Sequence, residues 1–173
     1  STAAMRAAEQ AAIDAGPSVG TLIERAGAGL AEAVRRFVGP RDTLVLCGPG
    51  KNGADGEVAA RHLAAAGYTV RIATLETLAE AEPAAILIDC LFGTGLNRGL
   101  EGAVADRLIA LSSAAFVTVA CDVPSGVSSD DGALLSPVSG VDLCVTFGAL
   151  KPAHRLMPAM ALLGRVVVID IGI

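Results

Sequence analysis

Hydrophobic and polar positions along this chain change their period near residue 40. Before that point the spacing is helical. Thr2 to about Ala15 is Ala-rich, with Met5, Ala8, Ala12 and Ile13 on one face, and the run breaks at Gly16-Pro17. A second helix is predicted from Thr21 to Phe37, ending before Gly39-Pro40. Its Ala26-Gly27-Ala28-Gly29 centre lowers helix propensity by about 1 kcal/mol per glycine relative to alanine, which suggests close packing against another backbone, with a loosened helix as the plainer alternative. Beyond residue 40 come short, continuously apolar runs read as strands: Thr43–Cys47, Thr69–Thr74, Ala85–Asp89, Ala115–Ala120, Leu143–Phe147 and Arg165–Asp170. Helices are expected between them at Gly56–Ala66 and Glu101–Leu111, with a short one within Leu75–Ala81. Leu150–Leu163, interrupted by Pro152 and Pro158, carries no clear helix.

Apolar strands alternating with helices predict a three-layer α/β/α sandwich around a Rossmann-like, mostly parallel, doubly wound sheet. The expected strand order is 2-1-3-4-5-6, counting from Thr43, because the link from Thr74 to Ala85 has room for one crossover and little else. No repeat, linker or low-complexity tail interrupts the pattern, so residues 1–173 are read as one domain.

Three strand ends carry polar clusters. Cys47-Gly48-Pro49-Gly50-Lys51-Asn52-Gly53-Ala54-Asp55-Gly56 joins a strand to a helix and satisfies G-x-G-x-x-G, a weak signal by itself. Such a turn aims backbone N–H groups and a positive helix end at an anion. Asn52 and Asp55 exceed what a plain turn needs. A dinucleotide fingerprint also requires an acid at the end of the second strand, where this chain has Arg71-Ile72-Ala73-Thr74, so ordinary NAD-dependent hydride transfer is disfavoured. The second cluster is Asp89, closing an apolar strand, followed by Gly93-Thr94-Gly95-Leu96-Asn97-Arg98-Gly99. Its glycines let backbone approach a ligand, and Arg98 offers a fork to phosphate. In the third, Asp122-Val123-Pro124-Ser125-Gly126, Asp122 is a proton donor or acceptor, or a ribose ligand. Ser125 is not read as a nucleophile, since neither His62 nor His154 stands in a triad context. Asn52, Asp89 and Ser125 together supply only oxygens and one formal negative charge, a set that suits a monovalent hard cation such as potassium.

Composition narrows the classes further. With 53% hydrophobic residues and 3% aromatics, the core is built from Ala, Val, Leu and Ile. The net charge of −5 and scarce aromatics argue against nucleic acid as a partner. No apolar run approaches the roughly 20 residues that span a bilayer, so no membrane partner is expected. No signal-peptide pattern is visible, and Ser1 reads as a trimmed or processed start. Cys47, Cys90, Cys121 and Cys144 form no C-x-x-C pair, so zinc is disfavoured; they read as buried thiols of a reducing, cytoplasmic compartment.

These segments resemble the NAD(P)H-hydrate epimerase family, the YjeF N-terminal domain. The likeness lies in Thr21-Leu22-Ile23-Glu24-Arg25-Ala26-Gly27, the Cys47–Gly56 loop, Asp89–Leu96 and Asp122–Gly126. Thr146-Phe147-Gly148-Ala149-Leu150-Lys151-Pro152 and Asp170-Ile171-Gly172 agree as well. The chain departs from the family pattern at Lys51, Ala54 and Ala153, and in a shorter stretch between Val70 and Ile86. The resemblance implies an isomerase that interconverts the R and S hydrates of NADH and NADPH at C6 of the nicotinamide ring, a step in metabolite repair. It implies that Lys51, Asn52, Gly53, Ala54 and Asp55, with Gly93 through Gly99, embrace the hydrated dinucleotide. Asp122 would contact the reacting end as acid and base, Lys151 would add a substrate contact, and Asn52, Asp89 and Ser125 would bind potassium. The expected partners are a fused or separate NAD(P)H-hydrate dehydratase and a second copy of the chain in a homodimer. The alternative is a nucleotide-binding or scaffold module of the same fold without the chemistry.

Overall fold

The computed structural model describes residues 3, 4, 7, 10, 11, 16 and 18–173. The expected helix from Thr2 to Ala15, with Met5, Ala8, Ala12 and Ile13, falls mostly outside the described residues, as does Pro17 of the predicted break. The first described helix, α1 (Val19–Phe37), is capped by Ser18, whose side chain accepts from the Thr21 N–H.

Six strands follow: β1 (Asp42–Cys47), β2 (Thr69–Thr74), β3 (Ile86–Cys90), β4 (Val117–Cys121), β5 (Leu143–Phe147) and β6 (Arg165–Ile169). They form one sheet in the order β2-β1-β3-β4-β5-β6. Every pairing is parallel, with Leu46 opposite Asp89 and Asp89 opposite Ala120. This is the predicted order. β3, β4 and β5 are buried along their whole length, which explains why their sequences show no alternation, while the edge strands β2 and β6 are partly exposed.

Helices α1 and α2 (Lys51–Ala65) cover one face, packing Leu30, Val34, Ala59 and Leu63 against Val45, Ile88, Val119 and Val145. The other face is covered by α3 (Gly102–Ala114), whose Leu108 and Leu111 meet Leu44, Leu46 and Leu87. Further along that face Leu163 packs on Ala120 and Cys144. The β5–β6 connection holds only two short 3₁₀ turns, Pro152–His154 and Ala159–Leu162. The β2–β3 link likewise has one 3₁₀ turn, Leu78–Glu80, in place of the expected short helix. Among the described residues no helix is long and apolar enough to cross a membrane.

Strand order reverses direction between β1 and β3, and the carboxyl ends of β1, β3, β4 and β5 open on one edge. That crevice is where open α/β sheets receive ligands. One expectation needs correction. The helix after β1 begins at Lys51, not at Gly56, so Lys51–Asp55 are its first turn and not a loop. Gly50 is the cap residue, and the Ala54 N–H already bonds the Gly50 carbonyl. The glycines that weaken propensity there are retained by packing: a Cβ on Gly53 would lie 1.8 Å from the Gly48 carbonyl oxygen.

The close packing expected at the centre of α1 is present. A Cβ on Gly27 would lie 2.4 Å from Val58 Cβ and 2.6 Å from the Asp55 carbonyl oxygen, both on α2. Gly27→Ala should therefore destabilise by about 1–3 kcal/mol through overpacking, despite a propensity gain of about 1 kcal/mol. Among the described residues a Cβ at Gly20 has space, the nearest atom being Ser18 Oγ at 3.7 Å, so Gly20→Ala should stabilise. Urea midpoints of the two variants check the contrast.

Candidate active site

A cavity of about 530 Å³ lies at the carboxyl edge of the sheet, within the range of small-molecule sites. Its apolar wall comes from α1 through Leu22, Ile23 and Ala26, and from Phe147 and Ile171. Arg25 fixes that wall by donating to the Ile171 carbonyl at 2.9 Å. The polar wall is the first turn of α2, with Lys51, Asn52 and Asp55, facing Gly93, Thr94, Gly95 and Leu96 of the β3 exit. Backbone meets backbone here. The Gly48 N–H donates to the Cys90 carbonyl at 3.0 Å, and a Cβ on Gly48 would lie 1.7 Å from the Leu91 carbonyl oxygen. A Cβ on Gly93 would lie 2.8 Å from Asn52 Oδ1, so glycine leaves the amide its place. Gly50 gives the first turn of α2 no side-chain cap, and the positive end of the helix lines the cavity.

Asp122 and Lys151 form the cavity's charged floor. Asp122 ends β4 with a left-handed backbone, φ 71°, which asparagine and aspartate adopt more readily than other non-glycine residues, at about 1 kcal/mol. Its Oδ1 accepts from Thr146 Oγ1 at 2.7 Å and faces Lys151 Nζ at 2.6 Å. Lys151 Nζ also donates to Thr146 Oγ1 at 2.8 Å and to the Phe147 carbonyl at 2.9 Å. Both side chains are buried, 10% and 3% exposed, so the pair survives only because each charge is matched. Both contacts are to Oδ1, so Oδ2 takes part in neither, and Asp122 lines the cavity. All three ammonium protons of Lys151 are engaged inside the protein. Its place is therefore beside Asp122, not extended toward a substrate as a free cation.

His154 joins this group. Its Nδ1 accepts from the Lys151 N–H at 2.8 Å, and Nε2 faces the Asp122 carbonyl at 2.8 Å. Burial pushes its pKa down. In the sequence Thr146 stands only as part of a family-like segment and His154 only as lacking a triad context, and neither is assigned a role at this site. Their signal was proximity to Lys151 in the chain, which carries no chemical meaning until β4 and β5 are paired.

Asp89 and Ser125 do not line the main cavity. They line a second one of about 10 Å³ with Thr118 and Ser139. Asp89 Oδ1 accepts from Ser125 Oγ at 2.7 Å and the Leu91 N–H at 3.1 Å, and Oδ2 accepts from the Ser125 N–H at 2.8 Å. Ser125 Oγ in turn accepts from the Phe92 N–H at 3.0 Å, so the Asp89 cluster reaches the segment that packs on Asn52. Burial pushes the Asp89 carboxyl up, against these hydrogen bonds. Gly53 and Ala54 on α2, and Asn97, Arg98 and Gly99 farther along the β3 exit, lie outside the lining of the main cavity.

Residues 19–82 and 73–153 match the family described as YjeF-related protein N-terminus. The chain belongs to that family. Among YjeF_N relatives, the NAD(P)H-hydrate epimerase of Clavibacter sepedonicus is 36% identical over 204 residues, covering 98% of this chain and 88% of its own. The bifunctional NAD(P)H-hydrate repair enzyme Nnr of Thermofilum pendens is 32% identical over 181 residues, 85% of this chain. The chain spans 34% of that relative's length. The crystal structure of yeast ynu0, YNL200c, shares the fold with a TM-score of 0.76 at 22% identity, over 90% of this chain and 82% of that one.

The ion pair at the floor makes a stability prediction. Lys151→Met leaves Asp122 buried without its cation and should destabilise by about 3–5 kcal/mol. The double variant Asp122→Asn/Lys151→Met should recover most of that loss. Chemical denaturation of the wild type, both single variants and the double variant measures the coupling.

Proposed function

We propose that this chain is an NAD(P)H-hydrate epimerase that inverts the C6 carbinol of hydrated NADH and NADPH. The observation that carries the reading is the Asp122–Lys151 pair on the floor of a cavity walled by a helix N-terminus. The names and coverage of the YjeF_N relatives support it.

A dinucleotide in this cavity sets its phosphates toward the first turn of α2 and the Gly93–Leu96 segment, and its nicotinamide end toward Asp122. Inversion requires the C6 hydroxyl to leave as water while the ring nitrogen supplies electrons, forming a conjugated cation. Water then returns on the opposite face. The departing hydroxyl takes its proton from the Lys151 ammonium through the Asp122 carboxylate, whose Oδ1 lies 2.6 Å from Nζ; lysine is left as the neutral amine, and the carboxylate faces the cation. On return, the adding water yields its proton to the same pair, so the residues end as they began.

Asn52, Asp89 and Ser125 are our candidates for holding potassium. Asp89 is buried, and among the described residues no cationic side chain lies within ion-pair distance of it, which fits a bound cation. Such an ion would neutralise Asp89 and tie the ends of β3 and β4 to α2. A dehydratase, fused or separate, is the expected consumer of the S hydrate, and a homodimer in the cytoplasm is the assembly we propose. Four free, buried cysteines are consistent with a reducing compartment.

Asp122→Asn should lower kcat by about 10² to 10⁴ with KM changed only a few-fold, measured by chiral chromatography of R-to-S conversion at mildly alkaline pH. No conversion by the wild type would favour the nucleotide-binding module instead. Potassium should raise Tm of the wild type more at pH 7.5 than at pH 5. Burial raises the Asp89 pKa, so acid protonates it in the folded state and removes the charge that attracts the ion. Asp89→Asn should abolish the potassium effect at both pH values, with tetramethylammonium as the control cation.

A further inference from the structure

The Asp122–Lys151 pair is assembled from two segments 29 positions apart, and a single imidazole touches the main chain of both. A backbone N–H can only donate, so His154 Nδ1, 2.8 Å from the Lys151 nitrogen, must be the unprotonated nitrogen. A backbone carbonyl can only accept, so Nε2, 2.8 Å from the Asp122 oxygen, must carry the proton. The ring is thus fixed as the neutral Nε2–H tautomer by two partners that cannot exchange roles. The carbonyl it holds belongs to the residue with the left-handed backbone, whose own N–H donates to the Val145 carbonyl at 2.7 Å. The Cys144 thiol adds a weaker contact to the same Asp122 carbonyl at 3.3 Å.

We propose that His154 is a positioning residue for the epimerisation: its neutral imidazole clamps the Asp122 carbonyl to the Lys151 amide, and so holds carboxylate and ammonium at reacting geometry. The inference rests on the epimerase reading and names a residue that does not touch the cavity. Donation to Asp122 is the half of the clamp that matters for chemistry, since it fixes the orientation of Oδ2. Protonating Nδ1 would set an N–H against the Lys151 N–H, a repulsion that a glutamine side chain at this position does not create, and would push the ring off the Asp122 carbonyl. The charged and titratable groups facing the ring are Asp122 from the β4 exit, Cys144 from β5, and Lys151 and Arg155 from its own segment. Burial, Lys151 and Arg155 disfavour the charged ring and Asp122 favours it, with burial the largest influence.

Two substitutions separate the halves of the clamp. Glutamine can place an amide N–H where Nε2 stands, and asparagine can place an acceptor where Nδ1 stands. His154→Gln should keep kcat within about threefold of wild type, whereas His154→Asn should lose about 10²-fold in kcat with KM nearly unchanged. The wild type should also lose kcat on acidification, at pH values below the ordinary imidazole range because burial holds the ring's pKa down, and His154→Gln should not. Equal losses in both variants, a loss confined to KM, or an acid limb retained in His154→Gln would overturn the proposal. Nitrogen-15 NMR of the wild-type ring provides a check that needs no variant to fold. The Nε2–H tautomer at pH 7 supports the clamp, and a protonated or Nδ1–H ring overturns it. If the wild type fails to epimerise the hydrates, the epimerase reading falls. The clamp is then judged separately, by whether the Asp122 carboxyl resonance moves in His154→Asn and stays in His154→Gln.

Discussion

An ammonium group taken out of water needs an oxygen for each of its protons, and the oxygens around Lys151 Nζ dictate much of the carboxyl edge of this sheet. One comes from the Asp122 carboxylate, one from the Thr146 hydroxyl and one from the Phe147 carbonyl. They are brought within reach because β4 and β5 are parallel neighbours, with Cys121 opposite Val145. The requirement is mutual. Asp122 is buried as well, and without the ammonium its charge would have no partner. A left-handed turn at Asp122, a hydroxyl on β5 and the return of the chain through Pro152–His154 all serve this one satisfied charge pair.

The opposite wall follows from a different constraint, the contact of backbone with backbone. Gly48 bonds the end of β3 with no room for a side chain, and Gly53 fits against Gly48 in turn. This draws the start of α2 down onto the β3 exit and sets Asn52 against Gly93. The positive end of a helix and the Asp122–Lys151 floor thereby line the same cavity. An anionic ligand with a neutral or transiently cationic end finds complementary charge at both walls.

How much of this could be read from the chain alone depended on the range of the interaction. Strands β2 and β5 agree with their predicted limits, and the sheet order followed from the short link after Thr74. Fully buried strands announce themselves by unbroken apolar runs, and a crossover is limited by length. The cluster at Gly48–Asp55 was visible as a ligand element, yet its first five helical residues were read as loop. Propensity there is overridden by packing of Gly53 against Gly48 and of the Asp55 carbonyl against Gly27, which no local pattern reveals. Asp122 and Lys151 stood out as candidates, but not as a pair. Thr146 and His154 were silent, because their meaning lies in hydrogen bonds that close only when distant strands align. Arg98 drew attention for its charge, while the structure sets it beyond the cavity lining.

The thiols carry a consequence of another kind. Cys47, Cys90, Cys121 and Cys144 are all buried, and burial raises the pKa of each, that of Cys47 to about 12; for Cys121 a hydrogen bond with Cys90 contributes most. Thiols held in that state are poor nucleophiles toward alkylating reagents while the sheet remains folded. A cysteine introduced at an exposed position such as Arg98 would then be the reactive sulfur of the native protein. A fluorophore attached there, on the loop beyond the cavity, would report ligand entry without any native cysteine having to be removed.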